Sequence, residues 1–476
     1  MQKKCKKIWS YQKKAVLLHP LSFEEHLFAP SGGSQFPRLT GTLPGAIAQL
    51  VEQRTENPCV PSSILGGTTK RDSKLGLFLL NKTHIIMKKI IAFCTLLLAL
   101  CACSNNEYLQ LAQQIGQSEM MHNPELWTCD GAAKPKWEYT PTLMARAFLE
   151  LYQDTHDTAY LNHAQRFADQ FIGEDGTIMT YKQSLYNMDR IQGGNFLIML
   201  QAINPQPQYS IAIETLRDQL RNQPRTSEGG FWHKQVYPNQ MWLDGLFTGT
   251  TFYARYAAYK PEPEAWSDIA KQFLIVDAHT RKANGLNHHG WDESRQMGWA
   301  DSITGCSPET WGRAEGWYVM ALCDVLELMP ADQPEQPELI AILNRVMDAL
   351  LTFQDQETHL WYQVPDRPLD EGNYLESTCS AMYCFAMAKG TRLGILPASY
   401  KEQAQLVMDG LKRHKIIVNE DGSLSLIDCC AVAGLGGNPY RDGTYDYYIH
   451  ERIREDDPKG VAPLILACLE LARISY

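Results

Sequence analysis

The stretch Asn239-Gln-Met-Trp-Leu-Asp-Gly-Leu-Phe247 places a carboxylate, Asp244, among aromatic and aliphatic side chains where a window of helical periodicity begins. An Asp near a helix start is most often a cap, which is the plain interpretation of Asp244. A buried Asp is costly unless it is paired or protonated, and apolar surroundings raise the pKa of a carboxyl group towards the range of a general acid. Whether Asp244 has a structural or a chemical role depends on whether its setting recurs along the chain.

Apolar residues recur at helical spacing in about a dozen windows of the chain. The windows begin near residues 106, 139, 158, 189, 208, 242, 263, 309, 336, 375, 398 and 458. Pro and Gly clusters such as Pro205-Gln-Pro207 and Gly229-Gly230 separate them. Each pair of windows takes roughly fifty to seventy residues, which indicates an array of helical hairpins. Six hairpins can close into a ring, so we predict an all-α (α/α)6 barrel whose closing pair joins the first helix to the last.

Aromatic and charged residues crowd the starts of every second window. These clusters are Lys136–Tyr139, Tyr186–Arg190, Gln240–Asp244, Glu309–Trp317, Tyr374–Glu376 and Tyr445–Tyr448. If alternate helices form an inner ring and run parallel, all six clusters meet at one mouth, where the helix N-termini favour an anionic ligand. Aromatic platforms with interspersed carboxylates, His and Arg are typical of a sugar site, because rings stack on C–H faces and polar groups bind hydroxyls.

The candidate site residues follow from these clusters and the loops before them. Asp244 is the candidate catalytic carboxylate, and Asp189 is a natural N-cap that is also compatible with lining the mouth. The candidate substrate-binding residues are Tyr139, His233, Trp242, His289, Trp311, Arg313 and Trp317. Arg313 is suited to a bidentate carboxylate contact, and the alternative is a surface pair with Glu315.

The beginning of the chain reads unlike the remainder. Residues 1–86 mix Lys-rich runs with Gly and Pro clusters and lack sustained periodicity, and the segment 45–58 resembles the conceptual translation of a transfer-RNA gene. We therefore predict that residues 1–86 are an erroneous upstream translation, disordered if made, and that the protein starts at Met87.

A basic Met87-Lys-Lys and the apolar segment 90–100 then have the form and length of a signal peptide. Leu100-Cys-Ala-Cys103 resembles a bacterial lipobox, so residues 87–103 are predicted to be a lipoprotein signal peptide with Cys103 as the lipidated residue. Residues 104–476 are then the barrel domain of an exported lipoprotein of the periplasm or outer membrane, which meets the membrane only through its lipid anchor. The alternative is secretion with cleavage and no lipid.

Cysteine spacing and net charge narrow the choice of cofactors and partners. Five of the thirteen Cys lie at or before Cys103, and the others lack the paired spacing of metal ligands. We expect no metal, no cofactor and no disulfide framework, although an exported protein can hold one bridge. The formal net charge of −10 argues against a nucleic-acid partner.

At this point the motifs resemble a known family. Met241-Trp-Leu-Asp-Gly245, His289-Gly-Trp-Asp292 and Trp311-Gly-Arg313 with Gly316-Trp317 are similar to glycoside hydrolase family 105, the unsaturated rhamnogalacturonyl hydrolases, which are related to the family 88 unsaturated glucuronyl hydrolases. The likeness covers nearly all of residues 105–476. The chain departs from the usual family pattern at Glu315 and Cys379, which leaves substrate preference open.

The resemblance implies an (α/α)6 barrel without a metal, acting on an oligosaccharide left by a polysaccharide lyase. In such a mechanism, Asp244 protonates C4 of the C4=C5 unsaturated uronic acid and then serves as base for water that adds at C5. The resemblance also implies that Asp189 assists Asp244, and that His233, His289, Arg313 and Trp317 contact the substrate. This scheme differs from the two-carboxylate mechanism of ordinary glycosidases.

Two alternatives remain beside a rhamnogalacturonan-derived substrate. The first keeps the barrel and the chemistry but acts on an unsaturated glucuronyl substrate from another polysaccharide. The second is a catalytically silent glycan-binding lipoprotein. The pair of Asp189 and Asp244 favours an enzyme, because a binder needs aromatic residues and Arg more than a desolvated acid.

Overall fold

The long helices of the chain alternate between two layers. A computed structural model describes residues 107–474. Its long helices are α1 (residues 107–122), α2 (Tyr139–Thr155), α3 (Thr158–Phe171), α4 (Gly194–Ile203), α5 (Pro207–Arg221), α6 (Leu243–Gly245, a π-helical turn Leu246–Thr250, then Thr251–Tyr259), α7 (Ala265–Thr280), α8 (Gly312–Leu328), α9 (Gln336–Thr352), α10 (Ser377–Arg392), α11 (Tyr400–His414) and α12 (Pro458–Ile474). A short helix, Tyr445–Ile449, precedes α12.

The even-numbered helices form a closed inner ring. Helices α2, α4, α6, α8, α10 and α12 each pack on the next, and α12 packs on α2. Helices α3, α5, α7, α9 and α11 each pack outside the inner helix that precedes them. Helix α1 covers α12 from outside, where Ile115 and Glu119 share a small cleft with Val461 and Leu464. The predicted (α/α)6 barrel and its closing pair of first and last helices are confirmed.

Burial explains which helices lie inside. Helix α8 is buried from Gly312 to Leu326 and α12 from Pro458 to Ala472, because neighbours cover them on every side. Outer helices such as α3 and α11 bury one stripe and expose the other, as amphipathic helices do. A window that is apolar on all faces therefore indicates an inner helix, and a window with one apolar stripe indicates an outer helix.

The predicted windows agree with the observed helix starts to within about three residues, apart from one. The window near 189 begins later, because the Asn187 side chain accepts from the Asp189 amide and caps a separate 3-10 turn, Met188–Arg190, ahead of α4 at Gly194. The prediction that Asp189 is an N-cap is therefore wrong, and Asn187 has that role. Asp244 does not cap α6 either, since the N-cap position is Trp242, without a side-chain cap.

The two ends of the barrel differ in character. At the C-terminal end of the inner helices, Arg146 of α2 and Lys389 of α10 both pair with Asp324 of α8, and all three are buried. Burial favours the neutral acid, but the two cations outweigh it and hold the pKa of Asp324 well below its ordinary value. Removing one partner would leave an uncompensated buried charge, at about 3–5 kcal/mol. This network fills one end and leaves the other, the N-terminal mouth, for a site.

Three short antiparallel strand pairs lie in the loops. They are β1 (Gln240–Trp242) with β2 (Gly290–Asp292), β3 (Ile416–Val418) with β4 (Leu424–Leu426), and β5 (Cys429–Cys430) with β6 (Ile453–Arg454). Among residues 107–474 no helix is long and apolar enough to cross a membrane, and no His, Cys, Asp and Glu side chains gather in a group that could hold a metal ion. All eight cysteines in this part of the chain are buried free thiols.

Candidate active site

A strand pair brings Asp244 to His289. Strand β1 runs into α6, and β2 pairs with it so that Trp242 lies opposite Gly290. The amide of Leu243 also donates to the carbonyl of His289, at 3.1 Å. Residues 45 positions apart thereby become neighbours, and Nε2 of His289 lies 3.0 Å from Oδ2 of Asp244. The Asp244 side chain is 18% exposed, so one side of the carboxylate is open to the mouth.

His289 is held on its other side by Tyr448. The imidazole is fully buried, and its Nδ1 lies 2.7 Å from the Tyr448 hydroxyl. Burial raises the pKa of Tyr448 well above its ordinary value, so the hydroxyl keeps its proton. Asp244, His289 and Tyr448 thus form a continuous chain of hydrogen bonds that runs from the mouth into the protein.

This chain satisfies Asp244 in both protonation states. When Asp244 is a carboxylate, His289 donates from Nε2 to it and Tyr448 donates to Nδ1. When Asp244 carries a proton, its O–H donates to Nε2, and Nδ1–H donates to the Tyr448 oxygen. A change of tautomer therefore lets the imidazole pair with Asp244 in either of its forms, which is what a residue that gives and then retakes a proton requires.

The second predicted carboxylate, Asp189, lies in an ion pair. Oδ2 of Asp189 lies 2.6 Å from Nζ of Lys234, and Oδ1 lies 3.5 Å from Nε2 of His233. Burial raises the pKa of Asp189, but the Lys234 ammonium outweighs it and keeps the pKa below the ordinary value. Asp189 is therefore an anion that forms an ion pair with Lys234, a residue that was not among the predicted site residues.

His233 is the neutral neighbour of this pair. Burial lowers its pKa to about 4, against the opposing effect of Asp189 and Asp244. Its ring stacks on Trp242, at 4.6 Å between centroids, and Tyr237 stacks on the same indole at 5.0 Å. The predicted binding residues His233 and Trp242 thus build one aromatic wall, to which Tyr237 is an addition.

The other aromatic walls come from α2, α6 and α8. Trp311 stacks on Tyr448 at 6.1 Å and lies 4.9 Å from the ring of His289. Trp317 stacks on Phe247 at 4.5 Å and meets the edge of Tyr139 across the barrel. Side chains from helices distant in sequence are thereby brought together at the mouth, as the alternation of the clusters predicts.

Arg313 occupies a different place from the other candidates. It is buried behind Trp311 and donates to the carbonyls of Cys430 and Ala431. Glu376, which caps α10, lies 3.7 Å from the guanidinium. The alternative of a surface pair with Glu315 is wrong, since Glu315 is also buried and accepts instead from the Asn287 amide. A direct Arg313 contact with substrate stays a prediction.

Arg441 is a cation at the mouth that the sequence analysis missed. Both Arg441 and Trp242 pack against Gly434. A methyl group added to Gly434 would clash with Nη1 of Arg441 and lie 3.6 Å from Cζ3 of Trp242, so the guanidinium lies near the indole. Among the described residues no hydrogen bond or ion pair engages the Arg441 side chain. The sequence signal was present in Tyr440-Arg-Asp-Gly-Thr-Tyr445, but the motif alone does not tell a free Arg from a paired one.

The loop carboxylates that the sequence analysis interpreted as structural have that role. Asp292 is fully buried and accepts from the amides of Ser294, Gln296 and Met297, and Asp301 accepts from Thr304. Cys103, the predicted lipidation site, lies outside the described residues.

Comparison with known proteins places this site in a family context. The model of Glycosyl Hydrolase Family 88 matches residues 111–475. A solved glycoside hydrolase of family 105 from C. acetobutylicum ATCC 824 is 42% identical with a TM-score of 0.73, covering 76% of this chain and 98% of that one.

Two curated proteins are also similar. Protein Atu3128 of Agrobacterium fabrum is 38% identical over 228 residues, which are 47% of this chain and 97% of that protein. The unsaturated rhamnogalacturonyl hydrolase YesR of Bacillus subtilis is 24% identical over 316 residues, which are 65% of this chain and 84% of that protein.

Proposed function

The chain belongs to glycosyl hydrolase family 88, and from that membership we propose that it releases the 4,5-unsaturated uronic acid from the non-reducing end of lyase-generated oligosaccharides. The observation that carries this proposal is the carboxyl–imidazole pair, with Oδ2 of Asp244 at 3.0 Å from Nε2 of His289. That pair opens onto a mouth walled by aromatic rings, which suits a pyranose ring.

The proposed reaction is a hydration. Asp244 gives its proton to C4, positive charge develops at C5 and the ring oxygen, and water adds at C5 while Asp244 takes a proton from it. The C5 hemiketal then opens to a ketone, and the freed hemiacetal at C1 collapses to an aldehyde and releases the next sugar. One proton is given and one is taken, so His289 and Tyr448 need only follow the change at Asp244.

Asp189 has a supporting role in this scheme. It stays ionised because Lys234 is 2.6 Å away, and a fixed negative charge near the mouth stabilises the cation that develops in the transition state. It stabilises charge and does not donate the proton, which assigns different roles to the two carboxylates.

Arg441 is the proposed partner of the substrate carboxylate. Lys234 is paired with Asp189 and Arg313 is turned towards backbone carbonyls, whereas no ion pair within residues 107–474 engages the Arg441 guanidinium near Trp242. A planar guanidinium binds a carboxylate through two parallel hydrogen bonds. This contact would orient C4 of the uronic acid towards Asp244.

We propose the unsaturated rhamnogalacturonan disaccharide as the preferred substrate, and with it a role in pectin degradation. The support is the similarity to the unsaturated rhamnogalacturonyl hydrolase. An unsaturated glucuronyl substrate is the alternative within the same chemistry. A catalytically silent glycan binder is less favoured, because a binder has no use for a carboxyl group that is matched by a tautomeric imidazole.

Export as a lipoprotein is proposed from the sequence alone. The basic start at Met87, the apolar segment 90–100 and Cys103 support it. Mass spectrometry of the mature N-terminus tests this proposal, together with the proposed start at Met87. A diacylglyceryl group on Cys103 is the expected result, and a peptide from residues 1–86 in the mature protein would contradict it.

The decisive assay follows the ultraviolet absorbance of the C4=C5 bond during incubation with unsaturated disaccharides. Wild-type protein should remove this absorbance, and in heavy water deuterium should appear at C4. Asp244→Asn should lower kcat at least about a hundredfold, since proton transfer contributes about 10²–10⁴-fold and no other acid replaces it. Asp332→Asn, an exposed loop carboxylate between α8 and α9 at the other end of the barrel, is the matched control. If the wild-type protein and Asp332→Asn both leave the absorbance of every unsaturated substrate unchanged, the enzyme proposal is wrong.

A further inference from the structure

A cavity lies at the rim of the mouth, between the starts of α2 and α12. We propose that this cavity, which we call the basic pocket, binds a negatively charged sugar residue further along the oligosaccharide, on the side that is released. The inference rests on the proposed function and extends it from a disaccharide to longer acidic substrates. The pocket has a volume of about 680 Å³, enough for sugar rings rather than a single ion.

Position connects the basic pocket to the site. Tyr139 lines the pocket and also meets the edge of Trp317, which forms a wall of the mouth. Ala431 lines the pocket as well, and its carbonyl accepts from Arg313. An oligosaccharide whose unsaturated end lies in the barrel must leave by the rim, and at this part of the rim the surface is already hollow.

Charge gives the pocket its selectivity. Five cationic side chains line it against two carboxylates, in a chain whose formal net charge is −10. The cations are Lys134, Lys136, Arg452, Arg454 and Lys459, and the carboxylates are Asp130 and Glu138. A local excess of positive charge on an acidic protein attracts an anion that the rest of the surface repels.

Two of these cations are free to bind. Arg454 pairs with Asp130 at 2.8 Å, Lys459 with Asp457 at 3.0 Å, and Lys136 with Glu138, so these three are engaged. Lys134 and Arg452 are exposed, and among the described residues no ion pair engages either side chain. Trp127 adds an aromatic face to the same lining, which suits a sugar ring that bears a carboxylate or sulfate.

Another hollow near the mouth lacks this character. A cavity of about 400 Å³ is lined by His288, Trp299 and Asp301, and its aromatic face would also suit a sugar. Hydrogen bonds from Thr304 and Ile303 lower the pKa of Asp301, so this cavity carries a fixed negative charge. An acidic ligand is repelled there, and the basic pocket is the better fit.

The test compares three substrates of the wild-type protein. They are an unsaturated disaccharide, an unsaturated tetrasaccharide with a second uronate, and the same tetrasaccharide with that carboxylate reduced to an alcohol. We expect kcat/KM to be about tenfold higher for the acidic tetrasaccharide than for its reduced form, mainly through KM, with the difference shrinking in high salt. Equal values for the two tetrasaccharides would overturn the proposal.

Variants locate the effect. Lys134→Gln with Arg452→Gln should abolish the preference for the acidic over the reduced tetrasaccharide. Lys271→Gln with Arg413→Gln removes two exposed cations from the outer helices α7 and α11 and should leave the preference intact. Loss of the preference in the control pair would contradict a local pocket, since it would show an effect of net charge alone.

The basic pocket can be tested even if the enzyme proposal fails. Absence of turnover on every unsaturated disaccharide would reject the proposed function only. Calorimetric titration with a saturated acidic tetrasaccharide would then show whether binding weakens in the Lys134 and Arg452 variant. Equal affinity of the variant and the wild-type protein would reject the pocket independently.

Discussion

The proposed role of Asp244 depends on its hydrogen bond to His289, which is in turn bonded to Tyr448. A carboxyl group that donates and recovers a proton needs a hydrogen-bond partner that suits both of its forms, and His289 backed by Tyr448 is such a partner. A buried polar group without a hydrogen-bond partner costs about 1–3 kcal/mol. Without His289 and Tyr448, that cost would raise the free energy of one step of the proposed reaction. In the proposed reaction, the residues that touch the substrate are therefore only part of the group that handles the proton.

Tyr448→Phe should lower kcat about tenfold with a small change in KM. The loss leaves Nδ1 of His289 unpaired in the protein interior, and about 1.4 kcal/mol corresponds to a factor of ten in rate. Steady-state kinetics on the unsaturated disaccharide measure it. Tyr445→Phe, in the same short helix as Tyr448, is the control, because its exposed hydroxyl only donates to the Glu371 carbonyl of a distant loop. A normal kcat in Tyr448→Phe would show that the tautomer of His289 does not matter.

Arg441→Gln should raise KM about tenfold and change kcat less, because a lost charge-assisted contact to a carboxylate is worth about 1.5–3 kcal/mol. The wild-type protein should discriminate against the methyl ester of the unsaturated uronic acid, and the variant should lose that discrimination. Arg413→Gln, on the outer helix α11, is expected to behave as wild type. Unchanged ester discrimination in Arg441→Gln would assign carboxylate recognition to another residue.

Among the elements, the short pair of β1 and β2 has an influence beyond its length. It sets Trp242 opposite Gly290 and so aligns Asp244 with His289. Glu315 of α8 holds the segment before His289, because it accepts from the Asn287 amide at 3.1 Å. The π-helical turn Leu246–Thr250 follows at once in α6, and π-turns within helices are frequent at functional sites.

Gly305→Ala should reduce kcat because it displaces β2. Gly305 has φ +80°, and an added methyl group would clash with the carbonyl oxygen of Asp292, the last residue of β2. Gly422→Ala is the matched control, since its φ is +83° but nothing lies within 4 Å of the added carbon. Both variants should lose about 1 kcal/mol of stability from left-handed backbone, and only Gly305→Ala should also lose activity. Equal activities, compared at equal folded fraction, would contradict this role of β2.

In the molecule as a whole, the residues that stabilise the barrel and the residues of the proposed reaction lie at opposite ends of the barrel. The Asp324 network fills the closed end, inner helices such as α8 are buried on all sides, and the mouth carries the polar groups of the proposed reaction. Two buried acids outside the reaction, Glu119 and Glu315, have pKa values raised to about 8 by burial. They link the stability of the barrel to pH.

Glu119→Gln with Glu315→Gln should flatten the pH dependence of stability. Each acid keeps its proton in the folded state up to about pH 8, whereas the unfolded chain releases it near the ordinary value of 4.5. Folding therefore takes up protons in this range, and the stability from these groups is present below the unfolded pKa and lost as pH rises through the folded one. Thermal unfolding at pH 5 and pH 8 should show wild type losing Tm relative to the double variant, by a few degrees. A constant difference would contradict the burial of uncharged acids.

The sequence by itself determined the barrel and predicted which clusters meet at its mouth. Helical periodicity is local, so windows such as 139–155 and 458–474 are visible in the chain, and the alternation of polar clusters shows which helices lie inside. Asp244 and Trp311 were expected at one mouth from that alternation, and His289 from the loop that precedes the Trp311 helix. Asp189 was placed at the mouth correctly but wrongly given the capping role, because Asn187 competes for the same turn.

Only the tertiary structure decided the partners of these residues. Tyr448 lies 159 positions from His289, Arg313 is turned towards Cys430, and Lys234 neutralises Asp189. Such contacts depend on how loops pack over the ring and on the register of β1 with β2, which no periodicity encodes. For the same reason, the sequence did not predict that Arg441 lies at the mouth without an ion pair among the described residues, or that the basic pocket exists. Whether a charge is free or paired is a property of distances between segments, and those distances exist only once the ring has closed.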